Sequence, residues 1–257
     1  EEGARIIFWP EFSVPLCLNC LIPIYQELGE SLKTFVRETG ASLLVGSNET
    51  AYSSDGQEIY YYNAAVQISP DLSLSQYNKN HLVPFGEYTP YKEVFSFIKK
   101  MTNAIGELTP GRSLNLHLWN GIAYGSPICY EIIFPNLVRK FAARGANFLV
   151  TITNDAWFGA SAAPRQHFAM AVLRAVENRR YLFRSATTGI SGIIDPYGRI
   201  LGRTELNTQA CLTGMITPLA KTTLYTRAGD WLAFAALTIT ALFLILTWTG
   251  QIKRKKS

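Results

Sequence analysis

The sequence predicts an α/β layered domain followed by one membrane-spanning helix, and three observations carry that prediction. Short apolar runs ending at polar or charged residues alternate with stretches of helical periodicity, the pattern of strands and helices stacked in layers. A 19-residue run without a charge, Trp231 to Thr249, lies near the C-terminus. A lone thiol, Cys129, stands where an apolar, Gly-containing strand meets a turn and then a helix-like segment from Pro135 to Ala142.

In chain order, Ile6 to Trp9 reads as a buried strand, with Glu11 at its C-terminal tip after Pro10. Ile24, Leu28, Leu32 and Phe35 recur at spacings of three to four and predict a helix from Ile24 to Arg37. Ala41 to Gly46 and Tyr60 to Ile68 are further buried strands, the second closed by the turn residues Ser69-Pro70-Asp71. Tyr77 to Glu87 is polar, contains Pro and Gly, and reads as a loop. Val94, Phe97, Ile98, Met101 and Ile105 give Tyr91 to Ile105 helical spacing, with Lys99 and Lys100 between; an amphipathic arm on a membrane surface and an ordinary surface helix both fit. Ile122 to Ile128 leads into Cys129, and Phe148 to Ile152 ends at Asn154-Asp155. Arg165 to Arg180 is expected to be a helix with Phe168, Val172, Ala175 and Val176 inward. Two strands, Ile190 to Ile194 and Arg199 to Gly202, flank Asp195-Pro196-Tyr197-Gly198, a hairpin signal. Cys211, inside Gln209 to Gly214, reads as a core residue on a strand.

The charge balance argues against a nucleic-acid partner. Of the net +5 over 257 residues, +4 comes from Lys253-Arg254-Lys255-Lys256, and no stripe of Arg and Lys with interleaved aromatics crosses the body. At about 1.5 Å per residue, Trp231 to Thr249 nearly reaches across the roughly 30 Å bilayer core. Trp231 and Trp248 lie near its ends, and the basic tail places the C-terminus in the cytoplasm with everything before Trp231 outside. An exported domain needs an export signal, and the chain opens Glu1-Glu2-Gly3-Ala4-Arg5, so it is expected to be a C-terminal fragment with at least one membrane segment upstream. The expected boundaries are a truncated domain over 1–225, a transmembrane helix over 226–250 and a basic cytoplasmic tail over 251–257. Cys17 and Cys20 have C-x-x-C spacing without a second pair or a nearby His, so no zinc site is expected; a disulfide, a redox pair and loop cysteines without a role remain open.

Three reactive side chains make a coherent set for acyl transfer. The thiolate is the nucleophilic form of Cys129, so it needs a base, which a carboxylate such as Glu11 can supply. An ammonium such as Lys79 favours the thiolate and then stabilises a tetrahedral oxyanion. Glu87 and Glu131 also read as salt-bridge partners. His81, His117 and His167 keep a Cys–His route open, although only His81 lies beside a candidate, and His167 at a helix start reads as structural.

The motifs Trp9-Pro10-Glu11, Tyr77-Asn78-Lys79-Asn80-His81-Leu82-Val83-Pro84-Phe85-Gly86-Glu87-Tyr88, Pro127-Ile128-Cys129-Tyr130-Glu131 and Thr153-Asn154-Asp155-Ala156-Trp157-Phe158-Gly159 carry a resemblance that spans nearly the whole chain. The sequence resembles the nitrilase (carbon–nitrogen hydrolase) superfamily and, within it, the apolipoprotein N-acyltransferase branch. The resemblance implies a nitrilase-like αββα sandwich, its opening strand and helix missing along with the branch's upstream membrane helices, followed by one C-terminal transmembrane helix. It implies Glu11 as general base, Lys79 as oxyanion cation and Cys129 as nucleophile. Glu87, Tyr130 and Glu131 would support this triad, and Trp157 and Phe158 would line the acyl or lipoprotein path. The reaction implied moves a fatty acyl chain from a phospholipid, phosphatidylethanolamine in particular, through a Cys129 thioester to the α-amine of a diacylglyceryl apolipoprotein. The setting implied is the outer face of a bacterial inner membrane, with no metal or organic cofactor. Water in place of the amine would make the same site an amidohydrolase, and a non-catalytic lipid- or lipoprotein-binding module would need no reactive thiol.

Overall fold

Period-two alternation on the two longest strands of the first sheet splits the core into two layers. The computed structural model describes residues 3–15, 17–18, 20, 23–90, 107–159 and 161–254. In its first half, β1 (Ile6–Phe8), α1 (Pro23–Thr39), β2 (Ser42–Tyr52), β3 (Ile59–Ile68) and β4 (Leu74–Asn78) follow in turn, and the strands form one sheet in the order β1-β2-β3-β4. Leu43, Val45, Ala64, Val66 and Ile68 turn to one face, against Leu32 and Val36 of α1. Leu44 and Ala65, one residue out of phase, turn to the other face and join the larger core cluster.

That second face meets a six-stranded sheet. β5 (His117–Trp119), β6 (Ile122–Gly125), α2 (Pro135–Ala143), β7 (Phe148–Asn154), α3 (Ala163–Asn178), β8 (Leu182–Thr187), β9 (Gly192–Ile194) and β10 (Ile200–Arg203) build it, with strand order β10-β9-β8-β7-β6-β5. Phe8 of the first sheet packs on Tyr124, Phe148 and Phe183 of the second, with ring centroids 6.0, 6.5 and 5.1 Å away. Phe141 of α2 and Phe168, Ala171 and Ala175 of α3 bury the helical layer. The architecture is the αββα sandwich implied by the sequence.

Strand direction decides what can meet. β1 is parallel to β2, while β2–β3 and β3–β4 are antiparallel, so β1 and β4 run the same way. β6, β7 and β8 are mutually parallel. Glu11 follows β1 and Lys79 follows β4, so both leave one edge of the first sheet. Cys129 follows β6 and Asn154 ends β7, so both leave one edge of the second.

The loop expected from Tyr77 begins one residue after β4, because Tyr77 and Asn78 pair with Ala65 and Ala64. Cys211 is exposed and lies in no strand, contrary to the core position expected. Gln209 to Gly214 finds no neighbouring strand to pair with, and the sheet ends at β10. Cys17 and Cys20 form a disulfide, with Cα atoms 5.3 Å apart. The helix expected over Tyr91 to Ile105, and the last residues of the basic tail, lie outside the described residues.

A short helix, α4 (Leu224–Ala228), capped by the Thr223 side chain accepting from the Thr226 N–H, leads into α5 (Trp231–Arg254). Trp231 to Trp248 has mean hydropathy 2.0 with none of it buried. Leu242, Phe243, Leu244, Ile245 and Leu246 point around the full turn, and each is at least 55% exposed. A core helix would hide one of those faces; this one is long and apolar enough to cross a membrane.

His117 is fully buried between two hydroxyls, with Nδ1 2.7 Å from Ser75 Oγ and Nε2 2.8 Å from Ser126 Oγ. Burial depresses its pKa from 6.5 to about 3. The unfolded chain therefore takes up a proton first as pH falls. The stabilisation is complete above about pH 6.5 and is lost progressively toward pH 3. Between pH 6.5 and 5 this amounts to about 2 kcal/mol. Thermal melts at pH 7.5 and 5 should show a smaller acid-induced drop in His117→Gln than in the wild type, whatever the variant's absolute Tm.

Candidate active site

Two carboxylates, one ammonium and one thiol meet where the two sheet edges face each other. Glu11, Lys79, Glu87 and Cys129 are all at most 7% exposed. Lys79 Nζ donates to Glu11 Oε1 at 3.1 Å and to Glu87 Oε1 at 2.8 Å. Asn63 Nδ2, from the middle of β3, donates to the same two oxygens at 2.7 and 3.0 Å. The Asn154 N–H, from the second sheet, donates to Glu11 Oε2 at 2.7 Å. Glu11 is thus held from both sheets at once, which fixes its carboxylate beside Cys129.

Local backbone chemistry explains how each group arrives. The Pro10–Phe12 corner crosses close over β2, where Gly46 leaves room: a Cβ there would lie 2.6 Å from Glu11 Cα and 2.7 Å from the Phe12 nitrogen. The Lys79 N–H donates to the Asn63 carbonyl, extending the β3–β4 ladder by one bond. Glu87 returns on a tight turn, its Oε2 accepting from the Val83 N–H at 2.8 Å. A 3-10 helix over Cys129–Ile133 follows β6, and Cys129 itself has φ +49°, a left-handed conformation that a residue with a side chain rarely adopts.

Glu131 ties the nucleophile's turn to the lysine's loop. Its Oε1 accepts from the Tyr77 hydroxyl and from the Asn80 and His81 N–H groups, at 2.7, 2.7 and 3.1 Å, and its Oε2 from the Ile128 N–H at 2.8 Å. Burial still raises its pKa, only partly offset by those donors. Tyr130 is half-buried, edge-on to Phe134 at 5.0 Å, and His81 packs on the same ring at 4.5 Å. Trp157 and Phe158 sit on the turn after β7; Trp157 is 63% exposed, and Phe158 meets the His167 ring edge-on.

Burial dominates the electrostatics. It pushes the Cys129 thiol up to about 12, and the Glu11 carboxylate adds to the rise, while Lys79 and the Thr153 hydroxyl only partly offset it. Burial alone would lower the Lys79 pKa, but Glu11, Cys129 and Glu87 outweigh it and hold the ammonium protonated. The resting site is therefore a thiol beside a carboxylate and an ammonium. The thiolate forms when the proton leaves for a base. Glu11, Lys79 and Thr153 are the side chains that act on the thiol electrostatically. Neither His81 nor His117 is among them, and His167 reaches the Cys129 carbonyl instead. Among the described residues no group of three or more His, Cys, Asp or Glu could hold a metal ion.

A family model for carbon–nitrogen hydrolases matches residues 1–223. The chain belongs to the carbon–nitrogen hydrolase family. Among curated relatives, the protein named apolipoprotein N-acyltransferase from Geobacter metallireducens is 39% identical over 90% of this chain and 44% of its own length. The one so named from Methylococcus capsulatus is 38% identical over 89% and 44%. The chain thus spans less than half the length of these relatives. Among solved structures, an amidase from Nesterenkonia sp. aligns at TM-score 0.56 and 22% identity, over 80% of this chain and 74% of that one, a likeness of fold.

The carbon–nitrogen hydrolase fold brings Glu11, Lys79, Cys129, Glu87 and Glu131 together, leaves Tyr130 half-buried against Phe134, and sets Trp157 outward. Asn63 and Thr153 were not anticipated. Each is a fully buried polar residue inside a strand, and a buried polar group must find a partner, which was the available signal.

Proposed function

We propose that this chain is the acyl-transferring part of an apolipoprotein N-acyltransferase. The observation that carries the reading is the buried Glu11–Lys79–Glu87 cluster against the strained Cys129 turn. The shared name of the relatives and the apolar stretch Trp231 to Trp248 of α5, none of it buried, support the lipid setting. The Cys17–Cys20 disulfide fits an oxidising compartment outside the cytoplasm. The basic run Lys253-Arg254-Lys255-Lys256, at the end of α5 and just beyond it, fits a cytoplasmic C-terminus, with 226–250 as the span and 1–225 as the catalytic domain.

Cys129 Sγ attacks the ester carbonyl of a phospholipid, phosphatidylethanolamine being the donor proposed, as Glu11 takes the thiol proton. Lys79 stabilises the oxyanion. Collapse breaks the ester C–O bond, Glu11 returns the proton to the departing lysophospholipid oxygen, and a thioester remains. The α-amine of an S-diacylglyceryl-cysteine then attacks the thioester. Glu11 takes a proton from the nitrogen and passes it to the sulfur as the C–S bond breaks, leaving an amide. The α5 anchor confines the site to the bilayer surface, so neither acyl chain crosses water. Tyr130, Trp157 and Phe158 are proposed to line the approach.

The test is intact mass of the complete gene product in micelles with phosphatidylethanolamine. An acyl adduct is expected on the wild type and not on Cys129→Ala, and adding a diacylglyceryl lipopeptide should yield its N-acyl form. Free fatty acid as the sole product with acceptor present would favour the amidohydrolase reading. Absence of both adduct and Cys129 alkylation would favour a binding module.

A further inference from the structure

Behind the nucleophile lies a second buried network that the acyl-transfer steps do not use. His167, near the start of α3, has Nε2 3.0 Å from the Cys129 carbonyl oxygen and Nδ1 3.0 Å from Asp155 Oδ1. A carbonyl oxygen only accepts, so Nε2 carries a proton. Asp155 also accepts from the Thr153 hydroxyl at 2.9 Å and, on Oδ2, from Arg184 Nη2 at 2.7 Å. Arg184 Nη2 lies 3.1 Å from His167 Nδ1, and Arg184 Nε donates to the Ile190 carbonyl at 3.0 Å. His167, Asp155, Arg184 and Thr153 are each at most 5% exposed.

Both ends of this network close on one residue. His167 grips the Cys129 main chain at its carbonyl, and Thr153, fastened to the same Asp155, acts on the Cys129 thiol against the rise that burial causes. Cys129 is also the residue held at φ +49°, which persists only where surroundings over-determine it. We propose that His167 is a positioning residue for the nucleophile: its Nε2–H, braced by Asp155 and Arg184, holds the Cys129 carbonyl so that the left-handed turn keeps Sγ aimed between Glu11 and Thr153. A simple core filler would need neither ring nitrogen engaged, and an imidazole with only one partner would not be locked in orientation.

This inference rests on Cys129 being the nucleophile of the reaction proposed above, and its test separates the two. In the complete gene product in micelles, two rates are read on Cys129 by mass: acylation by phosphatidylethanolamine, and alkylation by iodoacetamide, which needs no lipid site. His167→Phe fills the space without a donor and should slow both by about 30-fold, the scale of a sub-ångström to ångström misplacement. His167→Gln carries an amide N–H near the Nε2 position and should return both rates to within about fivefold of wild type. His167→Asn, whose amide sits near Nδ1 and faces Asp155, should stay slow, and it decides the matter with Gln if the Phe variant does not fold. Equal rates for Gln and Asn, or a wild-type rate in Phe, would overturn the proposal. A wild type that alkylates but forms no acyl adduct sinks the proposed function alone, because the order Gln above Asn in alkylation still tests positioning.

Discussion

Glu11→Gln should slow acylation of Cys129 by about 10³-fold while leaving the protein folded. The carboxylate accepts three hydrogen bonds, from Asn63 and Lys79 on Oε1 and from the Asn154 N–H on Oε2. Gln keeps the shape but turns one oxygen into a donor facing donors, and it cannot take the thiol proton. With the thiol pushed up by burial toward 12, the thiolate is scarce at neutral pH. The residual rate in Glu11→Gln should therefore climb about tenfold per pH unit between pH 7 and 9, as hydroxide replaces the missing base. Glu11→Asp keeps a carboxylate but draws it back from the sulfur, and should fall between the two. Single-turnover acylation followed by mass across that pH range reads all three. Wild-type acylation in Glu11→Gln would place the base elsewhere.

How much of this was legible beforehand follows from what kind of information each feature needs. Glu11 and Cys129 could be read because each follows an apolar strand at a sharp turn, a local pattern. The strands β2 and β3 were found for the same reason, although β2 runs on to Tyr52: past Gly46 it is polar, and its buried Ser47 and Glu49 satisfy each other, Ser47 Oγ donating to Glu49 Oε1 at 2.8 Å. Asn63 escaped because its partners are 52 and 24 residues away, a pairing set by sheet order. His167 was read as structural because nothing local links it to Cys129 or to Arg184; α3 and β8 bring them together. β4 escaped because Leu74–Asn78 is short and half polar, and becomes a strand only through the ladder that β3 offers.

Lys79→Met should damage stability and chemistry together, and the two losses can be separated. Removing the ammonium leaves the Glu11 and Glu87 carboxylates buried with no cation between them, a defect that typically costs about 3–5 kcal/mol. Loss of the oxyanion partner adds about a 10²–10³-fold drop in acylation rate. The sign with pH is fixed by the raised Lys79 pKa: its ion pairs are complete below its ordinary value of 10.5 and are lost only as pH rises through the higher value in the fold. Titration of Lys79 itself should thus add no slope to the stability gap between wild type and Lys79→Met from pH 6 to 9. Glu87→Gln in the Lys79→Met background removes one of the two stranded charges, and should recover roughly half of the lost stability while acylation stays low. Asn63 can donate to the new amide oxygen as it did to the carboxylate, while the Val83 N–H, which bonded the other oxygen, loses its acceptor, so the recovery stays partial. Melting curves for the two single variants and the double variant, read beside acylation rates, distinguish a lysine that holds the cluster together from one that also serves the oxyanion. Recovery of both in the double variant would assign Lys79 a structural role alone.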